Sequence, residues 1–326
     1  LTVAALLPRS WNLCLVDVNV EDLADDDLAW ADMAFLSAMA VQRKSAVDII
    51  AHCHGRGLAI VAGGPLFTAE PEAFGQVDHL VLDEAELTLP AFIADLEKGC
   101  PQKIYRANGY PDVHQTPIPL WHLIHMNRYA SLNIQYSRGC PFNCDFCNVT
   151  ALLGHKPRTK SAKQLITELD DLYALGWRDQ VFIVDDNFIG NKRILKEEIL
   201  PALIEWQKGK NGVPFNTEVS INLADDQELM DLMFEAGFNT VFVGIETLVE
   251  APTGLPHRRA NRLNVDVGVA NALGDTLEHP DRHPKLLALA RVLGGHEECL
   301  LGDPELDSTD AERGAVEQVA EDLRPA

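Results

Sequence analysis

Three cysteines stand close together in the run Tyr136-Ser137-Arg138-Gly139-Cys140-Pro141-Phe142-Asn143-Cys144-Asp145-Phe146-Cys147. Thiolates are soft ligands, suited to iron–sulfur clusters or to zinc. Three of them can hold three irons of a cubane, leaving the fourth iron open to a chelating ligand. Structural zinc takes four ligands, commonly as two pairs. The nearest fourth candidate is His155, on a basic stretch next to Pro157. The aromatic Phe146 directly before the third cysteine favours the cluster. The chain has seven cysteines, an odd number with three bunched. That pattern suggests a metal site in a reducing, cytoplasmic compartment rather than a disulfide framework.

Further polar groups sit where strands should end. Asp185-Asp186-Asn187 closes the apolar run that starts at Gln180. Asp and Asn make good helix caps, but three polar groups exceed what one cap requires. Glu218, next but one to Ser220, lies inside an apolar run, where a carboxylate is costly unless partnered. An arginine or a sugar diol would serve as that partner. Glu246 follows Gly244-Ile245 at the end of the next run. Arg158, after the cysteine loop, can pair with a carboxylate.

The elements that must position these groups follow a β/α rhythm, which implies parallel sheets. Leu13–Val18, Ala34–Ala38, Leu58–Ala62 and His79–Leu82 read as strands, with helices over Ala40–Arg56 and Glu84–Lys98. This first region, 1–115, reads as a doubly wound Rossmann- or flavodoxin-like domain. Residues 116–130, proline-containing and aperiodic, read as a linker. In 131–247 the strands are Ser131–Tyr136, Gln180–Asp185, Phe215–Ile221 and Thr240–Ile245. The helices are Ser161–Leu175, Arg193–Trp206 and Gln227–Ala236. Together they suggest a partial (β/α) barrel, whose active groups would lie at strand carboxyl ends.

The formal net charge of −22 argues against nucleic acid as a partner. No apolar run approaches the length of a membrane span. The chain begins at Leu1 in apolar sequence, as if the first strand of its first domain lay upstream. All 22 aromatics precede Leu248. The stretch 248–326 therefore reads either as a low-aromatic helical tail or as a non-native or disordered ending. Neither completes a barrel in the usual manner.

The cysteine run resembles the signature C-x3-C-x-Φ-C, with Φ aromatic, of the radical S-adenosylmethionine (SAM) superfamily. The resemblance implies a [4Fe–4S] cluster on Cys140, Cys144 and Cys147 and SAM on the open iron. One-electron cleavage of SAM would then give a 5′-deoxyadenosyl radical. By the same resemblance, Asp185, Asp186 and Asn187 meet the amino group of SAM, Glu218 and Ser220 its ribose, and Glu246 matches a further strand-end element.

A doubly wound domain ahead of the cysteine run resembles the cobalamin-binding class, close to the hopanoid-methylase subgroup. Ser37, Gly63, Gly64 and Glu84, at strand carboxyl ends, are the residues implied to line cobalamin. Glycines there would let a bulky ligand approach the backbone, although tight turns use glycine routinely. The chain has no D-x-H-x-x-G match, so cobalt without histidine coordination is implied. The implied activity is methylation of an unactivated carbon of a small-molecule or lipid substrate, with a flavodoxin- or ferredoxin-type electron donor. Two alternatives stand beside it: radical chemistry without methyl transfer, and a truncated or frame-shifted inactive product.

Overall fold

The computed structural model describes residues 1–144, 147–210, 212–250 and 256–267, the last stretch and residues 245–250 by their backbone alone. A first sheet consists of β1 (Met33–Ser37), β2 (Ala59–Gly63), β3 (His79–Val81) and β4 (Ile104–Tyr105), all parallel and in sequence order. Strand alternation divides its core. Ile60, Ala62, Leu80 and Leu82 pack with Ala46, Ile50 and Cys53 of the helix Arg43–Gly55. Val61 and Val81 pack with Leu89 and Phe92 of the helix Ala85–Glu97 on the other face. Helices thus cover both faces, although the strand order shows no reversal among the described residues. Leu13–Val18, expected as a strand, is irregular and ends in a turn where the Asp17 carboxylate accepts from the Asn19 N–H.

The second sheet contains β5 (Ser131–Ile134), β8 (Gln180–Ile183), β9 (Phe215–Val219) and β10 (Phe238–Glu250), parallel and in spatial order. Between β5 and β8 a small antiparallel ladder joins β6 (Ser137–Arg138) to β7 (Arg158–Thr159). Beyond β10, β11 (Pro256–Val267) pairs antiparallel, so the sheet does not continue there as a β/α repeat. The remainder of the 248–326 stretch lies outside the described residues.

Local chemistry sets the crossover helices. Ser161 and Gln164 form a reciprocal capping box at the start of Ala162–Ala174. The Asp226 carboxylate caps Gln227–Glu235 through the Leu229 N–H. The helix expected at Arg193–Trp206 is broken by a π turn at Leu195–Ile199 before Leu200–Gln207. Pro201 has no N–H for the ordinary bond to the residue four back, and a wider turn relieves that mismatch.

Leu132, Ile134, Val181, Ile183, Phe215 and Val219 form the outer face of this sheet and build the main core with these helices. The opposite, inner face carries Asn133, Phe182, Asn216 and Glu218. The first three stand side by side across β5, β8 and β9.

Candidate functional site

The cysteine loop leaves the sheet at the carboxyl end of β5 and is closed at its neck by β6 and β7. The ladder and two further backbone hydrogen bonds fix the neck. Ser137 and Arg138 pair with Thr159 and Arg158. The Lys160 N–H donates to the Tyr136 carbonyl at 2.8 Å, and the Cys140 N–H to the Gly154 carbonyl at 3.1 Å. Gly139 has φ +92°, and a Cβ there would lie 2.8 Å from the Lys156 carbonyl oxygen and 2.9 Å from that of Gly154. Only glycine fits so close to converging backbone.

Cys140, Cys144 and Cys147 are half-buried and form no disulfide. Burial pushes the Cys140 thiol up. The Phe142 N–H opposes this, while the nearby charges of Asp186, Cys147 and Cys144 add to it. Three cysteine sulfurs on one loop form a soft donor set suited to an iron–sulfur cluster. Among the described residues, no three His, Cys, Asp or Glu side chains converge as on a single metal ion. A cubane, which binds each thiolate at a different iron, does not require such convergence. The donor set fits a cluster, and Cys140, Cys144 and Cys147 are the residues that would hold it. Phe146 lies outside the described residues.

The three polar residues after β8 face different ways. Asp185 is 1% exposed. Its Oδ1 accepts from the Tyr136 N–H at 2.8 Å, and its Oδ2 accepts from the Ser137 N–H at 2.8 Å and the Ser137 hydroxyl at 2.6 Å. Burial nonetheless pushes its carboxyl up to about 6. Both oxygens are thus occupied inside the protein, tying the end of β8 to the start of the cysteine loop. Asn187 is also buried, and its Oδ1 accepts from the Ser220 N–H at 3.1 Å and the Ser220 hydroxyl at 3.3 Å. Asp186 alone of the three has an exposed surface, while partial desolvation of its carboxyl on the side near Cys140 pushes it up.

Glu218 is half-buried on the inner face of β9. The Ser220 hydroxyl also donates to Asn222 Oδ1 at 2.7 Å. On the same face both amide atoms of Asn216, 0% exposed, lack a hydrogen-bond partner, as does the carbonyl oxygen of Asn133. These orphaned groups leave hydrogen-bonding capacity for a polar ligand. The backbone of Glu246 lies in β10; its side chain lies outside the described residues.

The residues at the carboxyl edge of the first sheet have partners of their own. Ser37 is exposed at the end of β1. Gly64 has φ +86°, and a Cβ there would lie 2.7 Å from Ser37 Oγ; a Cβ on Gly63 would lie 2.5 Å from the Val81 carbonyl oxygen. The protein's own crowding accounts for both glycines without a ligand. Glu84 is buried between Arg138 and Arg158. Met39 and Val41, which follow Ser37, are exposed, so this edge offers apolar surface to a bulky ligand. His52 bonds Asp25 and His54 lies near Asp78, both on the surface. Arg138, Glu86, Ser137 and Gly139 lie at the neck of the cysteine loop or against it, positions that motif spacing alone does not single out. The only signal is their adjacency to Cys140 or Glu84.

Residues 134–266 match the Radical SAM superfamily. An uncharacterised methyltransferase of Synechocystis sp. is 49% identical over 251 residues, 76% of this chain and 46% of the relative. The hopanoid C-2 methylase of Rhodopseudomonas palustris is 39% identical over 253 residues, 76% of this chain and 48% of the relative. The chain therefore spans about half the length of these curated relatives.

Two solved structures share the fold. The cobalamin-dependent SAM radical enzyme OxsB, with aqua-cobalamin and SAM bound, aligns with TM-score 0.55 at 20% identity. That alignment covers 68% of this chain and 36% of OxsB. The radical SAM methyltransferase TsrM from Kitasatospora setae aligns with TM-score 0.56 at 16% identity, over 71% of this chain and 53% of TsrM. With its cysteine loop at the end of β5 and a parallel β/α sheet behind it, the chain carries a Radical SAM superfamily domain over residues 134–266.

Proposed function

We propose that this chain is the cofactor-binding portion of a radical SAM enzyme that uses cobalamin to methylate an unactivated carbon. The observation that carries the reading is the loop that presents three half-buried cysteines and is closed at its neck by the β6–β7 ladder. When bound, the cluster and SAM supply one-electron cleavage of a sulfonium, and cobalamin supplies a transferable methyl group. In this chain, Cys140, Cys144 and Cys147 hold the cluster. Asp186 faces the position of the SAM amino group, while Asp185 and Asn187 hold the strand ends in place. Glu218 offers a carboxylate to the ribose. Glu246, on the neighbouring strand β10, belongs to the same proposal.

The Ser37 hydroxyl and the exposed Met39 and Val41 offer cobalamin a mostly apolar edge without a histidine. Names of relatives support methyl transfer, hopanoid C-2 methylase among them. A lipid or other small molecule is the substrate in this reading, a flavodoxin or ferredoxin the reductant, and the cytoplasm the compartment. Among the described residues no helix is long and apolar enough to cross a membrane.

The test is anaerobic reconstitution with iron and sulfide, followed by SAM cleavage under reduction. The wild type should bind about four irons and release 5′-deoxyadenosine, and Cys144→Ala should lose both. An iron-free wild type overturns the reading. A second reading, radical chemistry without methyl transfer, is favoured by the internal explanation for Gly63 and Gly64. Equilibrium dialysis with hydroxocobalamin separates the two: retention supports methyl transfer, and its failure supports the second reading.

A further inference from the structure

At the neck of the cysteine loop, Arg138 and Arg158 are direct cross-strand partners in the β6–β7 ladder. Like charges placed opposite each other on a ladder repel. Here they flank the two ends of the loop that carries the thiols. What neutralises them comes from the first sheet's domain. Arg138 Nη1 donates to Glu84 Oε2 at 2.5 Å, and its Nη2 lies 2.8 Å from Glu86 Oε1. Arg158 Nη2 donates to Glu84 Oε1 at 2.6 Å and its Nη1 to Glu84 Oε2 at 3.1 Å.

These are not surface contacts. The side chains of Glu84 and Glu86 are 8% exposed, that of Arg138 11% and that of Arg158 16%. At such depth an unpaired charge costs far more than an exposed one. Further bonds hold the same groups, although Arg158 Nε is buried without a partner. Arg138 Nε donates to Gln135 Oε1 at 2.7 Å, and the Thr116 hydroxyl donates to Glu86 Oε1 at 2.7 Å. Arg158 also donates to the Pro111 carbonyl at 3.0 Å and stacks over the Tyr110 ring at 4.8 Å. Tyr110 in turn packs against Gly154, whose Cβ, were there one, would meet the ring at 2.9 Å.

We infer that Glu84 and Glu86 are positioning residues that clamp the neck of the cluster loop, so that docking of the first domain holds Cys140 and its companions in their binding arrangement. The loop cannot close its own neck without the two carboxylates, because closure brings two guanidinium groups together. Glu84 therefore acts toward the cluster loop rather than toward a ligand of its own sheet. This rests on the reading that the loop holds the cluster, but its central test needs no cluster.

Amide hydrogen exchange on the metal-free full chain measures the clamp directly. In Glu84→Gln, exchange at Ser137, Arg138, Thr159 and Lys160 should rise at least about tenfold, while Ile60–Ala62 and Val181–Ile183 stay as protected as in the wild type. Adding Arg158→Gln removes the unneutralised like-charge pair, so the double variant should recover part of the protection. A merely structural loss would not be recovered. The iron content of reconstituted Glu84→Gln should fall several-fold, with partial return in the double variant.

If Glu84→Gln is insoluble, Arg158→Lys keeps the charge, loses the bidentate fork, and should show the same pattern more weakly. Neck protection within about twofold of wild type, or equal loss at β2 and β8, overturns the clamp. Loss of iron in the wild type itself would instead indict the cluster reading and leave the exchange result to stand.

Discussion

Asp185 and Ser137 are joined by two hydrogen bonds to a single oxygen: Oδ2 of the aspartate accepts from the serine N–H at 2.8 Å and from its hydroxyl at 2.6 Å. The bonds cross from the end of β8 to the first residue of β6, where the chain turns out of the sheet toward Cys140. The aspartate thus sets where the cysteine loop begins. Asp185→Ala would leave the buried N–H groups of Tyr136 and Ser137 without an acceptor, at a cost of about 3 kcal/mol. Urea unfolding should register that loss in metal-free protein, whereas Asp186→Ala should stay within about 0.5 kcal/mol of wild type. Equal losses in both variants would remove the distinction between the two aspartates.

The Asp185 carboxyl also makes a prediction about pH. Burial raises it in the fold to about 6, from an ordinary value of 3.8. Because the folded state holds the proton more tightly, this group's contribution is fully favourable at low pH. That contribution is lost as pH rises from about 4 to about 6, and is constant above. The window corresponds to roughly 3 kcal/mol. Asp185→Asn, which cannot titrate, should therefore show a stability-versus-pH slope more positive than wild type between pH 4 and 6, and a parallel curve above pH 7. Superimposable slopes would show that the carboxyl is not raised.

Strand periodicity made part of this legible in the sequence. Continuing β8 by twos puts Asp185 with Val181 and Ile183 on the outer, buried face, and Asp186 with Phe182 and Val184 on the inner one. The type of each residue marked the strand end; only its parity tells which one faces the thiols. The parallel β/α elements were readable for the same reason, since their apolar runs and caps are local. Glu84 was different. Its partners Arg138 and Arg158 are 54 and 74 residues away, and no local pattern encodes such a pairing. The glycines show a similar limit. Gly63-Gly64 announces a close approach, but the approaching group is Val81 in one case and Ser37 in the other, and sequence names neither.

A buried ion pair beneath the neck gives a third prediction. Lys160 and Glu168 donate and accept between side chains only 5% and 2% exposed, and burial pushes the Glu168 carboxyl up despite the lysine. One oxygen of Glu168 has no further partner. Lys160→Met would strand that carboxylate, costing about 3–5 kcal/mol, whereas Lys160→Met with Glu168→Leu should recover most of the loss. Thermal or urea denaturation of the two variants decides it. A double variant no more stable than the single would mean that the pair is not buried as described.

Gly139 supplies the last test, because it links backbone geometry to cluster capture. With φ +92°, alanine there meets strain of about 1–2 kcal/mol before any contact is considered. Its Cβ would then press on the carbonyl oxygens of Lys156, Gly154 and Leu153, the last at 3.0 Å. Those carbonyls belong to the returning limb of the loop, so the relief available is to open it. Opening separates Cys140 from Gly154, its backbone partner, and so from the arrangement shared with Cys144 and Cys147. Gly139→Ala should therefore keep the first sheet intact by circular dichroism and exchange at Ile60–Ala62, yet take up several-fold less iron on reconstitution. Gly176→Ala is the control: it also has positive φ, +101°, but nothing lies within 4 Å of the added Cβ. It should lose some stability and no iron. Iron uptake equal in the two variants would show that positive φ alone, rather than crowding at the loop neck, governs the site.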